Sequence, residues 1–402
     1  PGREYFSTKG AFRVQNFLRR RPWVILAAGA LVQLVTGVPA SWGVFRQSVA
    51  DGYAIGGAAA AAAFSVYLFF YGAGCVAGGL WQDKKGPRAP GLAGAALVSG
   101  GFFAAAFVPG GSALAFWACF AAPAGVGCAL LTPAVLSCAQ KWYAHRKGLA
   151  TGVIGLAMGA SGAFLTLAGR FFIGRWGVRT AFFALGALQL AVCGISAALL
   201  ENPSDFKAPE GDGRDLSPRA MLRTKQYRLL TAAVALAAPP VLLFSPVIVE
   251  LAQQRGLGQA GGLWCVVAGS AASAAGRLSM PWLSDRIGRK AADLLLYAAL
   301  GGLSAAFAFA RGWWVLAVYC ALTFCYSGQA AVLPAAVTDL FGQRHAGVNY
   351  GFAALGMSAA ALALPFVSRA LPEGALHIAA AASAAAAFAC MAFLKRADGR
   401  RL

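Results

Sequence analysis

Apolar runs long enough to cross a lipid bilayer recur along this 402-residue chain, separated by short turns rich in Lys and Arg. A helix needs ~20 apolar residues to span the hydrocarbon layer, where the segment itself must satisfy its backbone N–H and C=O groups. The runs predict spanning helices near 23–45, 58–81, 90–108, 113–138, 148–172 and 180–200, then near 229–250, 260–283, 291–310, 313–338, 347–370 and 374–394. Between the two sets lies a polar stretch, 201–227, with five acidic residues and three prolines. The fold class expected is an all-α integral membrane protein, with twelve transmembrane helices in two six-helix halves. Its parts are an N-terminal segment (1–22), a first half (23–200), a linker (201–228), a second half (229–394) and a tail (395–402).

Composition excludes a soluble alternative. Hydrophobic residues make up 59% of the chain and charged residues 12%, against about 45–50% and about 25% in soluble domains. The net charge of +20 could signal nucleic acid, but the basic residues stand in short blocks between apolar runs. With both termini on one side, that side receives 26 Lys and Arg and the other seven. This bias predicts cytoplasmic termini in a multi-pass protein of the cell (plasma) inner membrane, its basic loops facing anionic lipid and no nucleic acid. No cleavable signal peptide is expected, because the first apolar run follows a basic segment and is long enough to span. The nine cysteines lie in apolar stretches without a CxxC pair, and the three histidines are scattered. No metal site or cofactor is therefore expected.

An internal repeat marks the two halves. The chain reads Gly79-Leu-Trp-Gln-Asp83-Lys84-Lys85-Gly86-Pro87-Arg88 after the second run, and Pro281-Trp-Leu-Ser-Asp285-Arg286-Ile287-Gly288-Arg289-Lys290 after the eighth. The two aspartates are 202 residues apart. Trp142-Tyr143 before Arg146, and Leu340-Phe341 before Arg344, repeat at nearly the same offset. Parallel six-helix halves are a transporter architecture. The pattern G-x-x-x-D-[RK]-x-G-x-[RK] in the first loop, repeated in the second with Pro281 in place of the first Gly, resembles the signature of the major facilitator superfamily, and the resemblance covers nearly the whole chain. It implies a conformational latch formed by Gly79, Asp83, Lys84, Gly86 and Arg88, and by Asp285, Arg286, Gly288 and Arg289. The plainer reading is that the basic residues only anchor the loops at the headgroups.

Within that superfamily the chain resembles the oxalate:formate antiporter and monocarboxylate transporter branch. Ser41-Trp42-Gly43-Val44-Phe45, Gly276-Arg277 before Trp282-Leu283-Ser284-Asp285, Pro334 to Gly342, and Asn349-Tyr350-Gly351-Phe352 carry the likeness. Arg277 stands in an otherwise apolar and small-residue run, 268–283. A guanidinium inside a spanning helix is costly and marks a functional site by default, and its planar fork suits a carboxylate. Its alternatives are snorkelling to the headgroups or a structural pair with helix 10 or 11. The resemblance implies substrate binding. No acid falls at mid-helix, since Glu250, Asp293 and Asp339 sit at predicted helix ends, so an incoming anion can supply the missing partner.

Aligned with the branch, Met357 occupies the place of a second cation, and Ala40 and Ala330 replace cage tyrosines. Ser273 replaces an acid that related monocarboxylate carriers can use for protons. Tyr326, Gln329 and Gln33 are further candidates for substrate binding, although the two glutamines fit helix packing equally well. The function expected is secondary active transport of a small organic monocarboxylate, such as lactate, pyruvate or formate, by alternating access. The carrier would act as a monomer, and protons (symport) or a counter-anion (antiport) are the coupling partners to consider. The alternatives are an oxalate/formate-type dicarboxylate antiporter, or a multidrug or other solute exporter of the same superfamily. An ion channel fits the paired halves poorly, and no P-loop, nucleophile elbow or metal-ligand set points to an enzyme.

Overall fold

The computed structural model describes residues 21–143, 146–203, 215–342 and 344–395, and all of their regular structure is helical. Twelve long helices follow one another. They are α1 (Trp23–Gly52), α2 (Gly57–Lys85), α3 (Arg88–Phe107), α4 (Ala113–Trp142), α5 (147–176), α6 (178–199), α7 (Lys225–Gln254), α8 (Gln259–Ile287), α9 (Arg289–Phe309), α10 (Trp313–Phe341), α11 (Ala346–Ala370) and α12 (Glu373–Ala392). Ten stretches of the described residues are long and apolar enough to cross a membrane. One of them, Leu149–Leu199, holds both α5 and α6, and α8 is not among them. Four serines, Arg277, Asp285 and Arg286 dilute the hydropathy of α8.

Local sequence explains where the helices break. The loop expected near 173–179 is instead helical on both sides of Gly177, the one residue there with non-helical backbone, at φ 77°. α1 runs past the expected residue 45 to Gly52 and bends at Gly37, just before Pro39. α7 is divided into Lys225–Leu236, Pro239–Leu242 and Ile248–Gln254. Pro239, Pro240 and Pro246 lack the N–H that a continuous helix requires. The repeated loops end α2 and α8 in the same way. Gly86 (φ 74°) and Gly288 (φ 90°) adopt a left-handed conformation, and their N–H groups close the last turn onto Gln82 and Ser284.

Two buried cores result. The first is built from α1–α6, with Ala238, Leu242, Ala361 and Leu364 added from α7 and α11, and the second from residues 221–394. Leu243, Tyr326 and Met357 pack against both. Across this seam α2 lies along α11, and α5 lies along α8. Glycines set the separation. A Cβ on Gly79 would stand 3.2 Å from the Gly347 carbonyl carbon, one on Gly351 would stand 3.1 Å from the Cys75 backbone, and one on Gly159 would collide with the Ala274 backbone. Small residues at such seams let helices in lipid approach closely.

Polar contacts mark both ends of the bundle, between the halves at one and between the linker and the second half at the other. At the end opposite the repeated loops, Arg46 of α1 forms an ion pair with Glu250 of α7 and donates from Nε to the Gly57 carbonyl at 3.2 Å. At the loop end the polar linker is docked. The Leu216 N–H donates to Phe341 (2.9 Å), Asn349 Nδ2 donates to the Leu216 carbonyl (3.2 Å), and the Arg344 N–H donates to Asp215 (3.0 Å).

Candidate functional site

α8 carries Arg277 to the seam between the halves. Gly155 of α5 leaves room beside it, since a Cβ there would lie 3.6 Å from Arg277 Cβ. The side chain interacts electrostatically with three tyrosine hydroxyls, those of Tyr71 on α2, Tyr326 on α10 and Tyr350 on α11. Four helices from both halves thus converge on one cation. The residue is half-buried, but its Nε is fully buried and makes no hydrogen bond. Among the described residues no carboxylate pairs with Arg277, so a structural pair with α10 or α11 would rest on the Tyr326 and Tyr350 hydroxyls.

Two of the sequence candidates meet here. The Tyr326 hydroxyl donates to the Met357 thioether sulfur at 2.7 Å, so the residue in place of a second cation is held by the aromatic beside the first. One turn along α8, Ser273 shares a 2.6 Å hydrogen bond with Ser327 of α10. Ser358, next to Met357, is buried opposite Gly72 with its Oγ unpartnered. The region around Arg277 is therefore polar by hydroxyl groups and holds a single positive charge.

The two glutamines sit elsewhere. Gln329 is buried with its carbonyl oxygen accepting from Tyr297 of α9 at 3.2 Å, which turns its amide toward an outer helix and away from the seam. Gln33 is buried on α1 between Gly29 and Gly37, which face Ile154 and Ser161 of α5. That register places Gln33 in the packing of α1 on α5 inside the first half.

Tyr71 and Tyr350 are the site residues that sequence reasoning missed. Tyr350 lies inside the 349–352 stretch that carries the family likeness, and Tyr71 is one hydroxyl in an apolar run. A usable signal existed nearby. The 202-residue offset between the repeated aspartates places Cys75 at the counterpart of Arg277, and Cys75 neighbours both Tyr71 and Tyr350.

The second repeated loop is fully described. Arg289 pairs with Asp285 one turn before it and with Asp339 of α10 at 3.4 Å, and donates to the Pro281 carbonyl at 3.3 Å. Arg286 lies over the Trp282 ring at 3.8 Å. In the first loop Lys84 and Arg88 are exposed, and Gly79 lies buried against Gly347. The Asp83 side chain lies outside the described residues.

The chain is similar to several known proteins. The oxalate:formate antiporter of Oxalobacter formigenes is 26% identical over 357 residues, 84% of this chain and 81% of that protein. Monocarboxylate transporter 11 of Homo sapiens is 26% identical over 267 residues, 66% of this chain. The match spans little more than half (56%) of the human protein. A peptide transporter POT, solved in complex with sulfate, superposes with a TM-score of 0.69 over 92% of this chain and 93% of its own, at 15% identity, which speaks to fold alone. The sequence profile of the Major Facilitator Superfamily matches residues 25–365. On that match, with twelve helices meeting at a seam and the loop duplicated in each half, this multi-pass membrane protein belongs to the Major Facilitator Superfamily.

Proposed function

We propose that the protein is a secondary active carrier for a small organic monocarboxylate. The observation that carries this reading is Arg277, a seam-facing guanidinium without a carboxylate partner among the described residues, in electrostatic contact with Tyr71, Tyr326 and Tyr350. A carboxylate entering there gains a charge-assisted two-point hydrogen bond to the arginine, and the Tyr350 hydroxyl, or Tyr326 on releasing Met357, can add a further donor. Binding at the seam between two halves is what alternating access requires, because each half can then open the same site to a different side. The halves 23–200 and 229–394 would rock about this point, joined by the linker 201–228, with the repeated loops as latches and both termini in the cytoplasm. Lactate, pyruvate and formate are the candidates of suitable charge.

A second reading, exchange of the dianion oxalate for formate, draws support from the relative that matches over 84% of this chain. Met357 argues against it, since one cation balances one negative charge. Uptake of labelled carboxylates into proteoliposomes separates the two. Lactate, pyruvate or formate should compete better than oxalate for the same pathway. Oxalate as the strongest competitor would overturn the monocarboxylate reading, and no carboxylate flux at all would overturn both.

A further inference from the structure

One acidic side chain lies inside the second core, with no counter-charge of its own. Asp293, the fifth residue of α9, retains 3% exposure although the sequence places it near a helix end. Its Oδ1 is buried without a hydrogen-bond partner. Tyr297 follows one turn later on the same helix face and donates to Gln329 Oε1. The Gln329 Nε2 is also buried and unpartnered. An acid, a phenol and an amide thus form an enclosed polar cluster between α9 and α10.

The groups around this cluster give Asp293 only a shared counter-charge. On its own helix Arg289 interacts electrostatically with Asp293, but its three nitrogens bond to Asp339, Asp285, Ser284 and the Pro281 carbonyl. α8 contributes Ser284 and Asp285, and α10 contributes Gln329 and Asp339. α12 presents Cys390 toward Tyr297, and Lys290 is directed to the Ala392 and Leu394 carbonyls at 2.6 and 2.7 Å. The packed segment Pro239–Leu242 carries no ionisable side chain. Among the described residues, then, no uncommitted cation faces Asp293. Burying an unpaired carboxylate is expensive, and an ionisable group inside a membrane bundle is a functional site by default.

We propose that Asp293 is a proton-binding site that couples proton movement to transport, so that the carrier is a proton symporter. This rests on the monocarboxylate reading above and adds its coupling ion. Protonated, the carboxyl is neutral, which its enclosed position favours, and it adds an O–H donor to the cluster. When the proton leaves to water, the carboxylate competes with Asp285 and Asp339 for Arg289. Arg289 braces α8, α9 and α10 beside the repeated loop, so the charge on Asp293 biases that brace and with it the conformational equilibrium.

Wild type, Asp293→Asn and Asp293→Glu, reconstituted in proteoliposomes, test this with a labelled monocarboxylate. One arm measures exchange at equal substrate on both sides, and the other measures net uptake under an inward proton gradient. A gradient of one pH unit is worth about 1.4 kcal/mol per proton, a tenfold accumulation ratio. Wild type should approach that ratio, while Asp293→Asn keeps exchange and accumulates almost nothing. Asp293→Glu should keep accumulation with a displaced pH profile. Exchange without gradient-driven accumulation in wild type, or full accumulation by Asp293→Asn, would overturn the proposal. If Asp293→Asn does not fold, an unchanged pH profile in Asp293→Glu overturns it equally. Absence of carboxylate exchange in wild type would instead bring down the monocarboxylate reading, and this proposal with it.

Discussion

Arg277 is half-buried at the seam, receives no carboxylate among the described residues, and keeps a buried Nε without a hydrogen bond, which leaves its fork for a ligand. Removing one partner of a buried charge pair costs roughly 2–5 kcal/mol, and each 1.4 kcal/mol is about a factor of ten in affinity. Arg277→Ala should therefore nearly abolish carboxylate binding, and Arg277→Lys, which keeps the charge but loses the fork, should retain only weak binding. Met357→Lys should shift preference toward a dianion, because it adds a second cation next to Tyr326. Ligand-induced thermal shift and competitive uptake on the three variants check this, and unaltered binding by Arg277→Ala would remove Arg277 from the site. The arginine was legible in the sequence because one guanidinium in a run of apolar and small residues is conspicuous. Tyr71 and Tyr350 were not, since each is ordinary on its own helix and gains meaning only where α2 and α11 bring it to the α8 guanidinium.

Helix existence was readable from apolar run length, but helix contacts were not. The glycines of α5 look alike along the sequence, yet they differ in what lies opposite. Gly159 faces the Ala274 backbone of α8 so closely that any Cβ must displace it, whereas nothing lies within 4 Å of a Cβ on Gly174. Gly159→Ala should push α5 off α8, lower the thermal unfolding temperature and slow transport. Gly174→Ala should be neutral or stabilising by up to about 1 kcal/mol, the helix-propensity difference between the two residues. Thermal unfolding in detergent and uptake rates read both effects. Equal behaviour of the two variants would mean that the α5–α8 seam does not depend on close approach. Gly177 shows the converse limit. The sequence predicted a loop near 173–179, but one left-handed residue suffices to turn α5 into α6.

Across the whole molecule, the halves touch near both ends of the seam, Gly79 against Gly347 beside the repeated loops and Arg46 with Glu250 at the far end. The Arg46–Glu250 pair ties α1 to α7 at the end away from the repeated loops, and it is partly shielded from water. Arg46→Glu should favour the state open at that end, and the double variant Arg46→Glu/Glu250→Arg should restore the balance. Labelling of a cysteine placed at Gly43, beside the Ser245 carbonyl at 3.1 Å, would report the opening. Unchanged labelling in Arg46→Glu would show that the pair holds nothing shut. The sequence by itself determined the fold class, the duplicated loop and the isolated cation, because membrane insertion is governed by local hydropathy and because a repeat is a property of sequence order. Only the tertiary structure decided that Tyr71, Tyr326, Tyr350 and Met357 gather around Arg277, that Gln329 turns outward, and that Asp293 is enclosed with no cation to spare. Those outcomes depend on which helix faces meet, and a helical register permits many pairings until close packing selects one.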